Sequence, residues 1–419
     1  MTKSSQYVIF ITTLLLILSP TVAGGTIIDS EDEKKSSDRR QLVSKTINLT
    51  QNEKDSVYPQ ISSSLNNVFV VWEESVGTYG SKNYDIYVRK SSDSGVTFGS
   101  PVNLSNNSGF SAHPQIASVG HYIYVVWTDN TSGKREIMFC KSSDSGNTFT
   151  AAKAISQNSI GPYHVELAAE GDGVYIVWNG FDTKLNNVIL LTRSNDTGKT
   201  FGDVREIGKG DKETFPKIAA NGDEYYISWN KKTNKENEEE KTELLFIKGH
   251  EIGNKIHPVD KLTRLNIDNI DGGESQVAAS IDHVLISWTS NLPSGKNYIY
   301  TKISTNGGND FRNTTHLATS NNASNVENIM INDTAYFVWQ DHIYDGEDIF
   351  FKSSNIIGTS PNEVINLSNN SGISECPSIT ISKNGLHVVW EDDTTGNHEI
   401  FYKIFQIEFG KPNRNTNLT

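Results

Sequence analysis

The sequence predicts an all-β, seven-bladed β-propeller of four-stranded blades, closed by the N-terminal strand joining the last blade. Three observations carry that expectation: a tryptophan used at one phase of a repeat, strand signals that align on it, and a strand count that balances only if the ends meet.

The chain has seven tryptophans, Trp72, Trp127, Trp178, Trp229, Trp288, Trp339 and Trp390, at spacings of 55, 51, 51, 59, 51 and 51. A residue confined to one phase of a fixed period marks a repeat architecture. Each closes an apolar run such as VFVVW, IYVVW or LHVVW. A near-continuous apolar run describes a strand buried on both faces. This is what blades packed face to face require, so the indoles are read as inter-blade packing.

A first strand precedes each tryptophan: YPQI (58–61), HPQI (113–116), HVEL (164–167), FPKI (215–218), SQVA (275–278), ENIMI (327–331) and CPSI (376–379). A third strand follows it, from DIYV (85–88) to EIFYK (399–403). Fourth strands appear in only six units, among them VNLS (102–105) and VINLS (364–368). The seventh is INLT (47–50), at the other end of the sequence. Pairing it beside the segment around Phe401 removes the open sheet edges. The charged segment 231–241 reads as a solvated hairpin loop in blade 4.

Outside the propeller, assigned to 44–407, residues 1–23 read as an export signal: Lys3, the apolar run Val8–Leu18, then small residues to Ala23. An uncleaved N-terminal anchor is the rival reading. Residues 24–43 read as a flexible linker and 408–419 as a polar tail. Asn-X-Ser/Thr sequons, including Asn48, Asn103, Asn130 and Asn366, agree with export to a secreted or cell-surface location. A net charge of −13 argues against nucleic acid as a partner. Cys140 and Cys376 fall on blades 2 and 7 with blade 1 between them, so two free thiols are expected.

At the turns between third and fourth strands stand SSDSGVTF (91–98), SSDSGNTF (142–149) and SNDTGKTF (194–201), with STNGGNDF (304–311) a degraded copy. These resemble the Asp-box of the BNR/Asp-box propeller superfamily, which includes sialidases. Asp93, Asp144 and Asp196 can accept N–H bonds in a tight turn, Gly95, Gly146 and Gly198 supply positive φ, and Phe98, Phe149 and Phe201 tuck the turn away. They are read as folding devices. The resemblance also implies a search for a sialidase arginine triad. Arg89, Arg193, Arg205, Arg264 and Arg312 sit on the wrong face or the rim, and only Arg135 lies in a strand 2–3 loop. The triad is therefore absent, and no catalytic residues are assigned.

Functional residues are expected on the face that carries the strand 4–1 and 2–3 loops. A ring of Tyr58, His113, His164 and Phe215, followed by Gln60, Gln115, Glu166, Lys217 and Gln276, lines the entry of the innermost strands. With Arg135 these are the candidate ligand-binding residues. Acid pairs seven apart, Asp129 with Glu136, Asp341 with Asp348 and Asp392 with Glu399, read as hairpin chemistry or as a negative arc that could recruit a divalent cation. No cofactor is implied beyond that cation. The expected role is a non-catalytic binding face for glycan or protein at the cell surface. The alternative is a sialidase-like glycoside hydrolase or lyase using carboxylates of the same face.

Overall fold

A computed structural model describes residues 46–77, 83–156, 160–211, 214–233, 241–252, 255–256, 262–265, 273–291, 297–319, 322–343, 346–355 and 363–405. The expected signal, linker and tail lie outside the described residues. Those described form seven antiparallel sheets and no helix.

Blade 1 shows the pattern: Ser56–Ser64 innermost, then Asn67–Ser75, Tyr84–Ser91 and Val102–Asn103. Blade 7 contains Ser374–Ser382, Gly385–Asp392 and Glu399–Phe405, and its outer strand is Ile47–Asn48. Ile47 pairs with Tyr402 and Asn48 with Phe401, as the strand count requires. In blade 4 the second strand runs to Thr233 and the third begins at Lys241. The strands therefore reach into both ends of the segment expected to be loop, with Lys231 opposite Glu243 across the ladder. Opposite charges on facing positions favour that extension.

All seven indoles are 0–1% exposed. They pack between blades: Trp72 shares a cluster with Val389, Ile400 and Tyr402 of blade 7, and Trp178 with Tyr124, Val126 and Phe139 of blade 2. Both cysteines are free; Cys140 is buried, and burial pushes its thiol up to about 12.

The acids beside each indole have local work. Trp72, Trp127 and Trp390 donate their indole N–H to Glu74, Asp129 and Asp392 at 3.3, 3.4 and 3.1 Å. The acid at the start of the third strand locks the outer strand. Asn103 and Asn366 donate side-chain amides to Asp85 and Asp348 at 2.7 and 2.8 Å, and Asn48 donates to Glu399. Ser105 and Ser368 donate to Asp85 and Asp348 while accepting the N–H of Ile86 and Ile349. Three sequons are thus parts of a strand lock, their amides already committed. Blade 2 has Ala154 at the asparagine position, so Glu136 turns to Ser132 and Lys134 instead.

The turns at 91–98, 142–149 and 194–201 are closed by the bonds their residues suggest. In the first, Ser91 and Thr97 donate to Asp93 at 2.6–2.8 Å, and Gly95 N–H donates to the Ser91 hydroxyl at 2.8 Å. Those donors, Thr97 foremost, hold the Asp93 carboxyl down at about 2. Each turn also leans on the preceding blade: Phe98 meets Tyr402 and Phe201 meets Phe139, both at 4.9 Å between ring centres. A Cβ on Gly146, where φ is +77°, would lie 2.5 Å from Cε1 of Phe69. Gly146→Ala will therefore lower stability by about 2 kcal/mol, read by urea unfolding, through strain and a clash with a fixed ring.

Candidate functional site

The innermost strands enter from the face bearing the 4–1 and 2–3 connections, called the top. There the chain makes the same unusual turn in five blades. Tyr58, His113, His164, Asn325 and Cys376 have left-handed φ of 48–54°, each at an irregularity in its innermost ladder. A left-handed non-glycine residue costs on the order of 1 kcal/mol, so the surroundings must hold it.

At three junctions the holding group is visible. The residue after each tryptophan reaches the next blade and accepts the N–H of the left-handed residue. Glu391 takes Tyr58 at 2.7 Å, Glu73 takes His113 at 2.6 Å, and Gln340 takes Cys376 at 3.0 Å. The equivalent residue of blade 2 is Thr128, whose hydroxyl donates to Ala112 O within its own blade at 3.0 Å.

Deeper in, the polar residues of the candidate ring find partners among neighbouring blades. Lys217 lies 2.6 Å from Glu166 and 3.6 Å from Glu327. Gln115 donates to Glu166 at 3.4 Å, Gln276 donates to Glu327, and Ser378 donates to Gln60 at 3.1 Å. Burial alone would favour neutral Lys217, but the flanking carboxylates outweigh it and keep the ammonium charged. Gln115, Glu166, Lys217 and Gln276 are thus joined through Glu327, while Gln60 pairs separately with Ser378.

A pocket of about 380 Å³ opens at the top between blades 2 and 3, lined by Phe110, Ala112, His113, Thr128, Asp129, Asn130, Arg135, Tyr163 and His164. It brings together four residues singled out by sequence: His113, His164, Arg135 and Asp129. The Arg135 guanidinium lies 5.9 Å from the Tyr163 ring centre. The His164 and Phe215 rings lie 4.1 Å apart, tilted by 53°, and those of Tyr58 and His113 lie 5.3 Å apart. Burial holds His164 down at about 4, with His113, Lys217 and Arg135 adding to the effect; His113 is lowered by burial and by Arg135. Both imidazoles are neutral at pH 7. Burial opposes ionisation of Asp129, but donors from Thr131, Ser111 and Asn107 outweigh it and hold the carboxyl below its usual range.

The other side of the mouth is acidic, and sequence reading missed it. Burial raises Glu73 to about 8, against the donation from His113 N–H and with Glu391 adding to the rise. Burial also raises Glu375 to about 7, helped by Glu347 beside it. Glu391 rises through burial as well. The missed signal was the residue after each tryptophan, which varies as Glu, Thr, Asn, Asn, Thr, Gln, Glu inside an otherwise uniform repeat.

The remaining acid pairs stay in separate hairpins: Asp129 opposite Glu136, Asp341 opposite Asp348, and Asp392 opposite Glu399. Asp392 accepts from Asn370, Ser374, Trp390 and Thr394; Asp341 accepts from Asn322 N–H. Among the described residues, no group of three or more His, Cys, Asp or Glu side chains is placed to hold a metal ion.

No protein-family model matches the chain, and no curated protein matches it. Solved structures do. A protein of unknown function from Dyadobacter fermentans aligns with a TM-score of 0.54 at 12% identity, over 87% of this chain and 98% of that one. The β-propeller domain of the Trilobed protease from Pyrococcus furiosus aligns with 0.52 at 11% identity, over 86% and 98%. A Hadza microbial sialidase aligns with 0.49 at 11% identity, over 84% of this chain and 66% of that chain. The first two, with TM-scores above 0.5, establish the fold alone, and that fold is the β-propeller.

Proposed function

We propose that this protein is an exported binding propeller, of the Asp-box kind its turns resemble, that holds a glycan or protein ligand at the cell surface without cofactor or turnover. The pocket between blades 2 and 3 is its ligand site. One observation carries the reading. The pocket is walled by Phe110, Tyr163, His113 and His164, and Asp129 is its one carboxylate. Asp129 already accepts bonds from Asn107, Ser111, Trp127 and Thr131. Such a pocket offers ring faces for stacking and one cation, but no spare acid–base pair.

Binding to a glycan array or to surface-protein extracts should be retained by the wild type. It should fall at least about tenfold, or about 1.4 kcal/mol, in Tyr163→Ala and His164→Ala, measured by biolayer interferometry. Equal binding by wild type and both variants would remove the pocket from the function.

A second reading rests on the opposite side of the mouth. Glu73 and Glu375 hold protons near neutral pH, which a general acid for glycoside hydrolysis requires. Turnover of an aryl-glycoside that is lost in Glu73→Gln or Glu375→Gln would establish that reading and overturn the first.

A further inference from the structure

We infer that the blade 2–3 pocket is a vacated inter-blade clasp, and that its ligand supplies the missing carboxylate to the backbone N–H of His164 beside Arg135. The inference rests on the binding reading and names the chemical class of its ligand.

The repeat itself provides the template. At the blade 7–1, 1–2 and 6–7 junctions, a Glu or Gln oxygen accepts the N–H of the left-handed residue at 2.6–3.0 Å. Two of the three acceptors are carboxyl groups. His164 occupies the same position with the same conformation, φ +50°. The residue that should reach it is Thr128, whose hydroxyl is turned to Ala112 O. Among the described residues no side chain accepts the His164 N–H. A threonine ends two bonds short of a glutamate carboxyl, so the substitution removes the acceptor and leaves space where it stood.

Shortening the clasp does not by itself create a site. Blade 5 also carries threonine, Thr289, at this position, and the facing left-handed residue is Asn325. There the Asn325 amide turns to Gln340 at 2.6 Å. At the blade 2–3 junction the facing residue is a histidine packed against Phe215 at a tilt, and Tyr163 and Phe110 complete apolar walls. A pocket of about 380 Å³ is far larger than the atoms a glutamate would add, so the ligand brings an apolar body with its acid. Arg135 stands over the Tyr163 ring, and among the described residues no carboxylate pairs with it. Arg135 and His164 line the same pocket, so a peptide N–H and a guanidinium are both available there to one anion. The committed Thr128 hydroxyl, Asn130 carbonyl and Asp129 carboxylate leave few partners for a ligand rich in hydroxyls.

The test titrates 3-phenylpropionate, its uncharged amide and glucuronate into the full chain, followed by calorimetry and by histidine NMR shifts. A carboxylate probe should bind at least about tenfold tighter than the amide. Thr128→Gln carries the blade 6 clasp into blade 2; it should abolish binding and leave the unfolding midpoint unchanged or higher. Arg135→Ala should lose about tenfold. Glucuronate, whose hydroxyls find few partners there, should bind more weakly than 3-phenylpropionate, and the reverse order would overturn the apolar body. Equal binding of acid and amide, or wild-type binding by Thr128→Gln, overturns the inference while the pocket remains a binding site. If no probe binds and the glycan and protein screens are also blank, the binding reading falls and this inference with it.

Discussion

Leu49→Ala will lower the unfolding free energy by about 2–5 kcal/mol, the range for removing a large aliphatic side chain from a closed core. Leu49 is 1% exposed, between Trp72 of blade 1 and Ile400 and Tyr402 of blade 7. Its N–H donates to Ile400 O at 2.7 Å, and Thr50 and Asn52 bind Ile400 N–H and Glu399 around it. The same position in blade 6 is Leu367, also 1% exposed, so Leu367→Ala is the matched control. Both variants lose similar packing. Only Leu49 directly follows the strand that joins the two ends of the ring, where the partners lie about 350 residues apart and no chain connection holds them close. Hydrogen exchange should therefore accelerate selectively across blades 7 and 1 in Leu49→Ala, and stay local to blades 6 and 7 in Leu367→Ala. Equal and uniform exchange in both would mean that closure adds nothing beyond local packing.

The contrast explains what the sequence could reveal. Blade number, strand order and the closing pair were legible because they follow from phase: the indole position, the apolar run and the N-L-S/T signature repeat in register. Burial on both faces writes itself into composition. The candidate ring was legible for the same reason, since its members share one position in successive repeats. Tyr163, Phe110 and Thr128 were not, because the pocket arises where the repeat fails to repeat. Its cause is a short side chain in one blade facing a histidine in the next, a relation across about 36 residues that periodicity averages away. The acidic side of the mouth was hidden by the same averaging. Glu73 and Glu391 follow their indoles as ordinary strand residues, and only the left-handed turn of the neighbouring blade shows what they accept. Conversely, the conspicuous acid pairs proved to have local partners: Asp129 and Asp392 accept from indoles, Asp348 and Glu399 from outer-strand asparagines, Glu136 from Ser132 and Asp341 from the Asn322 N–H.

Glu73 should make stability fall as pH rises above neutrality. It is 2% exposed, with a carboxyl raised to about 8 from an ordinary value near 4.5. The folded chain therefore binds a proton between those values that the unfolded chain releases. Its contribution is complete below pH 4.5 and is lost as pH climbs through 8. His164 and His387, both held at about 4 by burial, act in the opposite sense. Their folded forms bind fewer protons than the unfolded chain between pH 4 and 6.5, so they make stability rise over that window. Above pH 6.5 that opposition ends and Glu73 dominates, with Glu375, raised to about 7, contributing to the start of the fall. Wild-type stability should then decline by about 1.4 kcal/mol per pH unit between 6.5 and 8. Glu73→Gln keeps a carbonyl acceptor for the His113 N–H and carries no titrating proton. It should match the wild type near pH 5 and exceed it by about 3–4 kcal/mol at pH 8, read from urea midpoints across the range. Parallel wild-type and variant curves would mean that Glu73 is ionised in the fold, and that its bond to His113 N–H is a charged one throughout.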